Sequence, residues 1–296
     1  MNKITSKIIF AGAVQNSEMH LPAVFYNIEN LTRLFSEVGY IFVENDSTDN
    51  TKKILKDWGS GKSNFHLINM DGLQAIPVRT VRLEMVRNAY LETIRHYAEL
   101  RNFDYLAVLD MDDIGGYSIN IQEVSNAIEF LNVSSTRAAV FANQRGTYYD
   151  MWALRLNPQC PSDVWEDVLN YVIKYKCSDE VAFAETFAKR IFSIEDSLEP
   201  IKVDSAFGGF GIYKMEYVVN NPNPYLGSKT KIVPLDDGTP CYAKWQICEH
   251  VHFHAGIKSQ GGEMFIYPKL INGVNSGVIF TASSFRGMIF QVAIKI

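Results

Sequence analysis

Cysteine pairs, long apolar runs and an excess of positive charge are all missing from this sequence of 296 residues. The four cysteines form no C-x-x-C pair, which disfavours a disulfide framework or a zinc knuckle and indicates reduced thiols. No apolar run reaches the roughly 18 residues that a membrane-spanning helix needs. A formal net charge of −5 disfavours nucleic-acid binding as the main activity. We therefore expect a cytoplasmic globular protein.

Short apolar runs alternate with longer helical patterns through the first 145 residues. Strands are predicted at 7–14, 40–43, 65–68, 105–109 and 138–142, and helices at 21–38, 51–58, 78–99 and 121–131. Further along, helices are predicted at 164–176 and 181–191, a glycine-rich segment at 205–214 and a long loop at 220–240. Strands that alternate with helices of this length predict βαβ units and a mostly parallel sheet.

The pattern predicts one compact α/β domain, with helices on both faces of a Rossmann-like sheet. Residues 1–145 are expected to form a nucleotide-binding half, and residues 146–277 an acceptor-side half on the same sheet. The apolar tail 278–296 has two interpretations: it covers the sheet, or it makes a peripheral contact with a membrane surface. Sheets of this kind bind ligands beyond the carboxyl ends of their strands.

Acidic side chains follow the predicted strand 105–109 directly. Asp110 and Asp112 stand one residue apart at its end. Two carboxylates on so rigid a support can hold a divalent cation while substrate phosphates fill the remaining positions of its shell. Solvated acids at the start of a loop are the alternative interpretation. The position at a strand end favours a site for Mn²⁺ or Mg²⁺.

Polar residues also follow the first two predicted strands. Gln15 comes after the first strand, and Glu44 and Asp46 end the second. At such a position a carboxylate can accept a hydrogen bond from a ribose hydroxyl or a base N–H group. The residues that follow, Ser47 and Asp49, are good helix N-caps without any further function. We expect Gln15, Glu44 and Asp46 near a nucleoside.

Four segments in this order carry a resemblance. Residues 44–51 (Glu-Asn-Asp-Ser-Thr-Asp-Asn-Thr) and the later Asp110-x-Asp112 resemble motifs of GT-A nucleotide-sugar glycosyltransferases, including the large family 2. Residues 141–155, with Tyr-Asp-Met-Trp-Ala-Leu-Arg at their end, and residues 206–213 resemble segments of fungal capsule-associated mannosyltransferases and their bacterial relatives. The resemblance implies a GT-A fold, in which the sheet is mixed and the domain catalytic, and a metal-dependent transferase that uses a nucleotide sugar, such as a UDP- or GDP-sugar.

Several basic and glycine residues fit this resemblance. Arg79 and Arg87 lie in the predicted third helix and are candidates for binding phosphate, and Arg87 stands where family 2 has Ala-Arg-Asn. A solvated helix face is the alternative interpretation of these arginines. Gly208 and Gly209 let the main chain approach a ligand closely or take positive φ. In the resembling families the matching loop approaches the donor sugar and the acceptor.

Three of the six histidines lie within five residues, directly after Glu249. On a helix, His250 and His254 share a face and His252 points away, whereas on a strand all three share a face. The resemblance to GT-A enzymes implies that Glu249 is the catalytic base if the enzyme inverts the configuration of the sugar, and that His250 or His254 completes the metal shell. The resemblance to capsule-associated mannosyltransferases instead favours retention, so both outcomes stay open. Asp112 is expected to act in catalysis through the metal.

The sequence therefore predicts a glycosyltransferase that moves a hexose, and in particular mannose, from a nucleotide sugar to a glycan or other hydroxyl acceptor, in the biosynthesis of polysaccharide. A metal-dependent hydrolase built on His250, His252 and His254 is the alternative, and it needs a strand through that segment. A sugar nucleotidyltransferase is disfavoured because the residues after the first strand contain no lysine or arginine.

Overall fold

The protein is described here from a computed structural model that covers residues 4–234 and 238–275. The strands are β1 (Ile4–Val14), β2 (Phe35–Glu44), β3 (Phe65–Asn69), β4 (Tyr105–Leu109), β5 (Arg137–Gly146), β6 (Ile201–Val203), β7 (Phe210–Lys214), β8 (Ser228–Pro234), β9 (Pro240–Gln246) and β10 (Glu263–Asn275). The helices are α1 (Leu21–Thr32), α2 (Thr51–Gly59), α3 (Arg79–His96), α4 (Ala98–Arg101), α5 (Ile121–Asn132), α6 (Val164–Tyr175), α7 (Asp179–Glu185), α8 (Met215–Val219) and α9 (Glu249–Ser259). The predicted tail 278–296 lies outside the described residues.

Eight strands form one mixed sheet in the order β3-β2-β1-β4-β7-β5-β10-β6. Strands β1 to β4 run parallel to one another, β7 is antiparallel to both β4 and β5, and β10 runs parallel to β5. The carboxyl ends of β1, β2, β4 and β5 consequently share an edge with the amino end of β7. Strands from both predicted halves lie in this single sheet, so the polar residues at their ends meet at one edge.

The central strands are buried on both faces, as their apolar runs require. In β1, Ile9 and Ala11 join the core on one side of the sheet, and Ile8 and Phe10 join the core on the other side. This alternation follows from the period of two in a strand. None of the helices in the described ranges is both long and apolar enough to cross a membrane.

The predicted helix 21–38 is too long. Helix α1 ends at Thr32, and β2 begins at Phe35 and pairs with β1, with Phe35 opposite Ile4 and Val38 opposite Ile8. The spacing of apolar residues at 35 and 38 is compatible with a helix, but pairing with β1 places these residues in the sheet. Packing with a strand far along the chain has overridden a local preference.

The predicted loop 220–240 and the glycine-rich segment contain further strands. Strands β8 and β9 form a separate antiparallel hairpin. Ion pairs from Lys229 and Lys231 to Glu166 hold this hairpin against α6. Residues 210–214 form β7, which is inserted between β4 and β5. Its antiparallel direction delivers the preceding residues, Gly208 and Gly209, to the edge where β4 ends.

Candidate active site

Two adjoining cavities open at the carboxyl edge of the sheet, and we call them the first and the second lobe. The first lobe, about 180 Å³, is lined at one end by Gln15 and Asn45 from the ends of β1 and β2. The second lobe, about 220 Å³, is lined at its far end by Asp150, Trp152, Phe207, Cys248, Glu249 and His250. Both lobes share Arg79, Leu83, Arg87, Asp110 and Asp112. The two aspartates therefore stand at the junction of the lobes.

Asp110 is held firmly at this junction. Its carboxylate accepts a hydrogen bond from Tyr149 Oη at 3.2 Å and lies 3.6 Å from Arg87 Nη2. Burial and the nearby carboxylates of Asp112 and Asp150 raise the pKa of Asp110 to about 7, although Arg87 acts in the opposite direction. Such crowding of like charges is relieved by a bound cation.

Asp112 is the more exposed of the two. Its Oδ1 accepts a hydrogen bond from the backbone N–H of Ile114 at 3.2 Å. Desolvation within the cleft and the adjacent Asp113 raise the pKa of Asp112. Asp112 lines both lobes, so this carboxylate is available to a ligand.

Arg87 of α3 is a buried cation between the lobes, with 4% of its surface exposed. Its Nε donates to Glu249 Oε1 at 2.9 Å, and its guanidinium lies over the rings of Phe207 and Tyr225. Nη1 has no hydrogen-bond partner within the described ranges. A guanidinium that lines both lobes supplies positive charge to a phosphate or another anionic group bound there.

Glu249, the predicted catalytic base, forms an ion pair with Arg87. Glu249 is the first residue of α9, is 4% exposed, and accepts the charge-assisted hydrogen bond from Arg87. Its Oε1 also lies 3.7 Å from His250 Nε2. Its place in the second lobe agrees with a site residue, while its role as a base remains a prediction.

The two glycines hold Asp110 and Asp150 and do not line either lobe. Gly208 and Gly209 have φ of 66° and 79°. The carbonyl of Gly209 accepts the backbone N–H of Asp110 at 2.9 Å, and the N–H of Gly208 donates to Asp150 Oδ2 at 3.1 Å. A Cβ at Gly209 would lie 2.5 Å from Ile114. The main chain at these two glycines therefore approaches other protein atoms of the site closely, where the sequence had suggested a close approach to a ligand.

The three histidines do not converge, because the segment is helical. His250 lines the second lobe, is 2% exposed and has no hydrogen-bond partner on either ring nitrogen among the described residues. Burial, Arg87 and His254 lower the pKa of His250 well below its usual value, so its ring is neutral at neutral pH. Neutral imidazole is the form that ligates metals.

His254 has to be removed from the predicted metal ligands. Its Nδ1 bonds to Ser205 Oγ at 2.8 Å and its Nε2 to Tyr213 Oη at 3.0 Å, so both ring nitrogens are occupied. The strand that the hydrolase alternative needs is absent, since residues 249–259 form α9. Within the described ranges, no three His, Cys, Asp or Glu side chains lie close enough together to hold a metal by themselves.

Glu44 and Asp46 stabilise loops beside the first lobe and are not part of its lining. The buried Glu44 accepts the N–H of Ser47 at 2.7 Å. Asp46, with φ of 52°, accepts the N–H groups of Gly72 and Gln74, and these bonds lower its pKa. Backbone donors occupy both oxygens of Asp46, whereas Oε2 of Glu44 lies 3.5 Å from Lys52 Nζ and has no hydrogen-bond partner among the described residues. Both acids therefore support the loops here, and their contact with a nucleoside stays a prediction.

Asn45 is a site residue that the sequence reasoning passed over. It lies between the two acids, is buried and lines the first lobe. Asn45 directly follows the last residue of β2, at the carboxyl edge where sheets of this kind bind ligands. That position was the signal available in the sequence.

Tyr149 and Asp150 also belong to the second lobe. Asp150 accepts hydrogen bonds from the N–H groups of Gly208 and Ala153, and Tyr149 donates to Asp110. Burial raises the pKa of Asp150, although those N–H groups act in the opposite direction. The Tyr-Asp-Met-Trp run at 149–152 therefore contributes one carboxylate to the second lobe and a hydrogen bond to another, that of Asp110.

Comparison with known proteins finds similarity in structure alone. No family model matches the sequence, and no curated protein does. A mannosyltransferase from Pyrobaculum calidifontis, solved with GDP-Man and Mn²⁺, matches 94% of this chain with a TM-score of 0.51 at 13% identity. The TarS 1–349 structure from S. aureus with UDP-GlcNAc matches 94% with a TM-score of 0.49 at 12% identity. Glucosyl-3-phosphoglycerate synthase from Mycobacterium tuberculosis with UDP matches 96% with a TM-score of 0.44 at 13% identity.

The chain spans 59% of the P. calidifontis protein, 61% of the TarS structure and 82% of the synthase. The eight-stranded mixed sheet with its flanking helices is the fold of GT-A glycosyltransferases, which confirms the predicted fold class. The particular likeness to capsule-associated mannosyltransferases stays a prediction.

Proposed function

We propose that this protein is a metal-dependent glycosyltransferase that moves a sugar from a nucleotide sugar to a glycan or other hydroxyl acceptor. The observation that carries the proposal is the position of Asp110 and Asp112, at the junction of two cavities and beside the buried cation Arg87. In the GT-A fold this junction lies at the carboxyl edge of the sheet, where open α/β sheets bind their ligands.

Asp110 and Asp112 are the protein ligands that we propose for the cation, and both line the two lobes. No third His, Cys, Asp or Glu side chain in the described ranges lies close enough to form a set of three with them, so phosphate oxygens of the substrate fill the remaining positions. Carboxylate and phosphate oxygens suit Mg²⁺ and Mn²⁺. That His250, which lines the second lobe, completes the shell stays a prediction. The cation, when bound, neutralises the negative charge that develops on the departing diphosphate.

The nucleoside belongs, on this proposal, in the first lobe with Gln15 and Asn45, and the sugar belongs in the second. The diphosphate then lies at the junction, where the guanidinium groups of Arg79 and Arg87 supply positive charge. Preorganised cations in a dry cavity stabilise a leaving group without reorganisation at the moment of reaction. Glu44 and Asp46 act from outside by fixing the loops that carry Asn45.

A hexose, and first of all mannose, is the sugar that we propose to be transferred. Two independent supports agree on mannose: the resemblance of residues 141–155 to capsule-associated mannosyltransferases, and the GDP-Man bound to the P. calidifontis protein. GDP and UDP remain the two candidate nucleotides, since a second similar structure was solved with UDP-GlcNAc.

Calorimetric titration tests the proposal. UDP, GDP and CDP are each titrated with and without Mn²⁺ into the wild type and the Asp112→Asn variant. We expect one nucleotide to bind only with Mn²⁺, and to lose at least about tenfold in affinity in the variant, since outer-shell and ligand changes cost this much or more. Asp57→Asn, an exposed substitution on α2, is the matched control and should bind as the wild type does.

Two results would contradict the proposal. One is the failure of all three nucleotides to bind the folded wild type in Mn²⁺. The other is metal-dependent binding that Asp112→Asn leaves unchanged, because the cation would then lie elsewhere.

A further inference from the structure

Four carboxylates line the second lobe, and three of them are already engaged. Asp110 and Asp112 carry the proposed cation, and Asp110 is additionally bound to Arg87 and Tyr149. Glu249 accepts the charge-assisted hydrogen bond of Arg87. Asp150 is the fourth, and among the described residues its hydrogen bonds come from neutral backbone donors only.

A general base has to accept a proton without losing a partner that holds the site together. Protonation of Glu249 would remove the nearer of the two carboxylates that face Arg87, at 2.9 Å, and would leave Asp110 at 3.6 Å as the remaining counter-charge. Loss of a partner from a cation that is 4% exposed is unfavourable. Asp150 has no charged hydrogen-bond partner among the described residues, so its protonation breaks no ion pair of this kind. Each of its oxygens accepts one N–H group, and each carboxylate oxygen has a second lone-pair site free.

The position of Asp150 is fixed by two different segments. The N–H of Ala153 binds Oδ1 at 3.2 Å, and the N–H of Gly208, from the turn before β7, binds Oδ2 at 3.1 Å. Trp152 beside it is also fixed, since its Nε1 donates to Asp163 at 3.1 Å, and it presents an indole to the lobe. An aromatic ring next to a held carboxylate is a typical arrangement for a sugar hydroxyl, because sugars stack on aromatic faces.

We propose that Asp150, and not Glu249, is the general base that takes the proton of the acceptor hydroxyl. This inference rests on the proposed function. The acceptor O–H loses its proton to the Asp150 carboxylate while its oxygen forms a bond to the anomeric carbon. The bond between that carbon and the phosphate oxygen breaks, and its electron pair leaves with the nucleoside diphosphate. The transfer therefore proceeds with inversion, and Glu249 is a positioning residue that holds Arg87.

Azide distinguishes a base from a positioning residue, because it is an anion and needs no deprotonation. Donor turnover is measured with water and with azide as acceptors, using the UDP- or GDP-sugar whose nucleotide binds in Mn²⁺. In Asp150→Asn we expect turnover with water to fall at least about 100-fold, as for loss of a general base, while turnover with azide persists. The ratio of azide to water turnover should therefore rise by the same factor.

Glu249→Gln is the comparison variant. If Glu249 acts by positioning Arg87, both acceptors lose turnover together and the ratio stays within about threefold of that of the wild type. Asp150→Glu, which keeps a carboxylate, should recover part of the turnover with water. Asp57→Asn, far from the site, controls for loss of charge alone. Thermal unfolding of each variant in Mn²⁺ shows that it remains folded.

Three outcomes would overturn the role of Asp150: an unchanged ratio in Asp150→Asn, a raised ratio in Glu249→Gln, or a glycosyl azide with retained configuration by NMR. A wild type that uses azide but no hydroxyl would also overturn it. Absence of turnover with either acceptor, in a wild type that binds the donor with Mn²⁺, would instead contradict the proposed transferase activity.

Discussion

His250 and His254 show how much the surroundings of a side chain decide its role. They lie one turn apart on the same face of α9, and both are buried. Both ring nitrogens of His254 are hydrogen-bonded, to Ser205 and Tyr213. His250 stacks on Phe207, and neither of its nitrogens has a hydrogen-bond partner in the part of the chain that the structure describes. The sequence could predict the shared face, but it could not predict which ring would find partners.

The buried His254 makes the stability of the protein dependent on pH. Burial, and to a lesser degree Arg87, lower its pKa from 6.5 to about 3. Between these values the unfolded chain binds a proton that the folded protein excludes, so the free energy of unfolding decreases as the pH falls through this range. We expect His254 to contribute a loss of about 2 kcal/mol between pH 7 and pH 5, measured by urea unfolding.

His254→Gln, which cannot take up this proton, should show a pH dependence that is weaker by about the same amount. His96→Gln is the matched control, because His96 is exposed, and it should keep the pH dependence of the wild type. An identical pH dependence in His254→Gln and the wild type would show that this histidine is not excluded from protonation.

The short turn before β7 is the element on which the site depends most directly. Its residues Gly208 and Gly209 bind Asp150 and Asp110 through the main chain, and both have positive φ. Glycine adopts this conformation without a steric penalty. The sequence predicted a backbone reason for the pair, and the structure adds that β7 runs antiparallel and thereby brings the turn to the end of β4.

Gly209→Ala and Gly261→Ala should separate strain from crowding. Both glycines have similar φ, 79° and 81°, but a Cβ meets Ile114 at 2.5 Å in the first case and nothing within 4 Å in the second. The strain of positive φ alone costs about 1 kcal/mol, so we expect this loss in Gly261→Ala. Gly209→Ala should lose about 1–3 kcal/mol more, because crowding is added.

Urea unfolding measures both losses, and titration of the nucleotide with Mn²⁺ measures the effect on the site. Only Gly209→Ala should weaken that binding, since the carbonyl of Gly209 holds the N–H of Asp110. Equal losses of stability in the two variants would mean that Ile114 moves aside freely.

At the scale of the whole molecule, the sheet collects the site from segments that are distant in the chain. Arg87 and Glu249 are separated by 162 positions in the sequence, yet they form one ion pair between the lobes. Arg87 lies on α3 and Glu249 on α9, and these two helices pack against each other in the folded protein. A ligand that bridges the lobes would therefore stabilise the fold as a unit.

We expect the nucleotide with Mn²⁺ to raise the midpoint of thermal unfolding. A ligand that binds only the folded state adds about 2.7 kcal/mol at 100 times its dissociation constant. For a chain of this size such a gain corresponds to a shift of several degrees. Differential scanning calorimetry with nucleotide alone, Mn²⁺ alone and both together measures it. Equal midpoints in the three solutions and in buffer would contradict a composite site of metal and nucleotide.

Local patterns in the sequence were sufficient for much of the fold. The strand 105–109 and the acids directly after it were predicted at their positions, because an uninterrupted apolar run followed by Asp has few other interpretations. The pattern was insufficient where one spacing suits two structures, as at Phe35 and Val38. The prediction of a long loop at 220–240 missed β8. A two-stranded hairpin needs only alternating side chains and a partner strand, and the sequence of one segment does not show that partner.

The sequence by itself determined the α/β alternation, the acids at the strand ends and the helical face shared by His250 and His254. Only the tertiary structure decided that Glu249 would pair with Arg87. It also decided that Asp150, among the described residues, would accept hydrogen bonds from backbone N–H groups only. The physical reason is that periodicity acts between neighbours in the chain, whereas burial, ion pairing and pKa depend on which distant segments the sheet brings into contact.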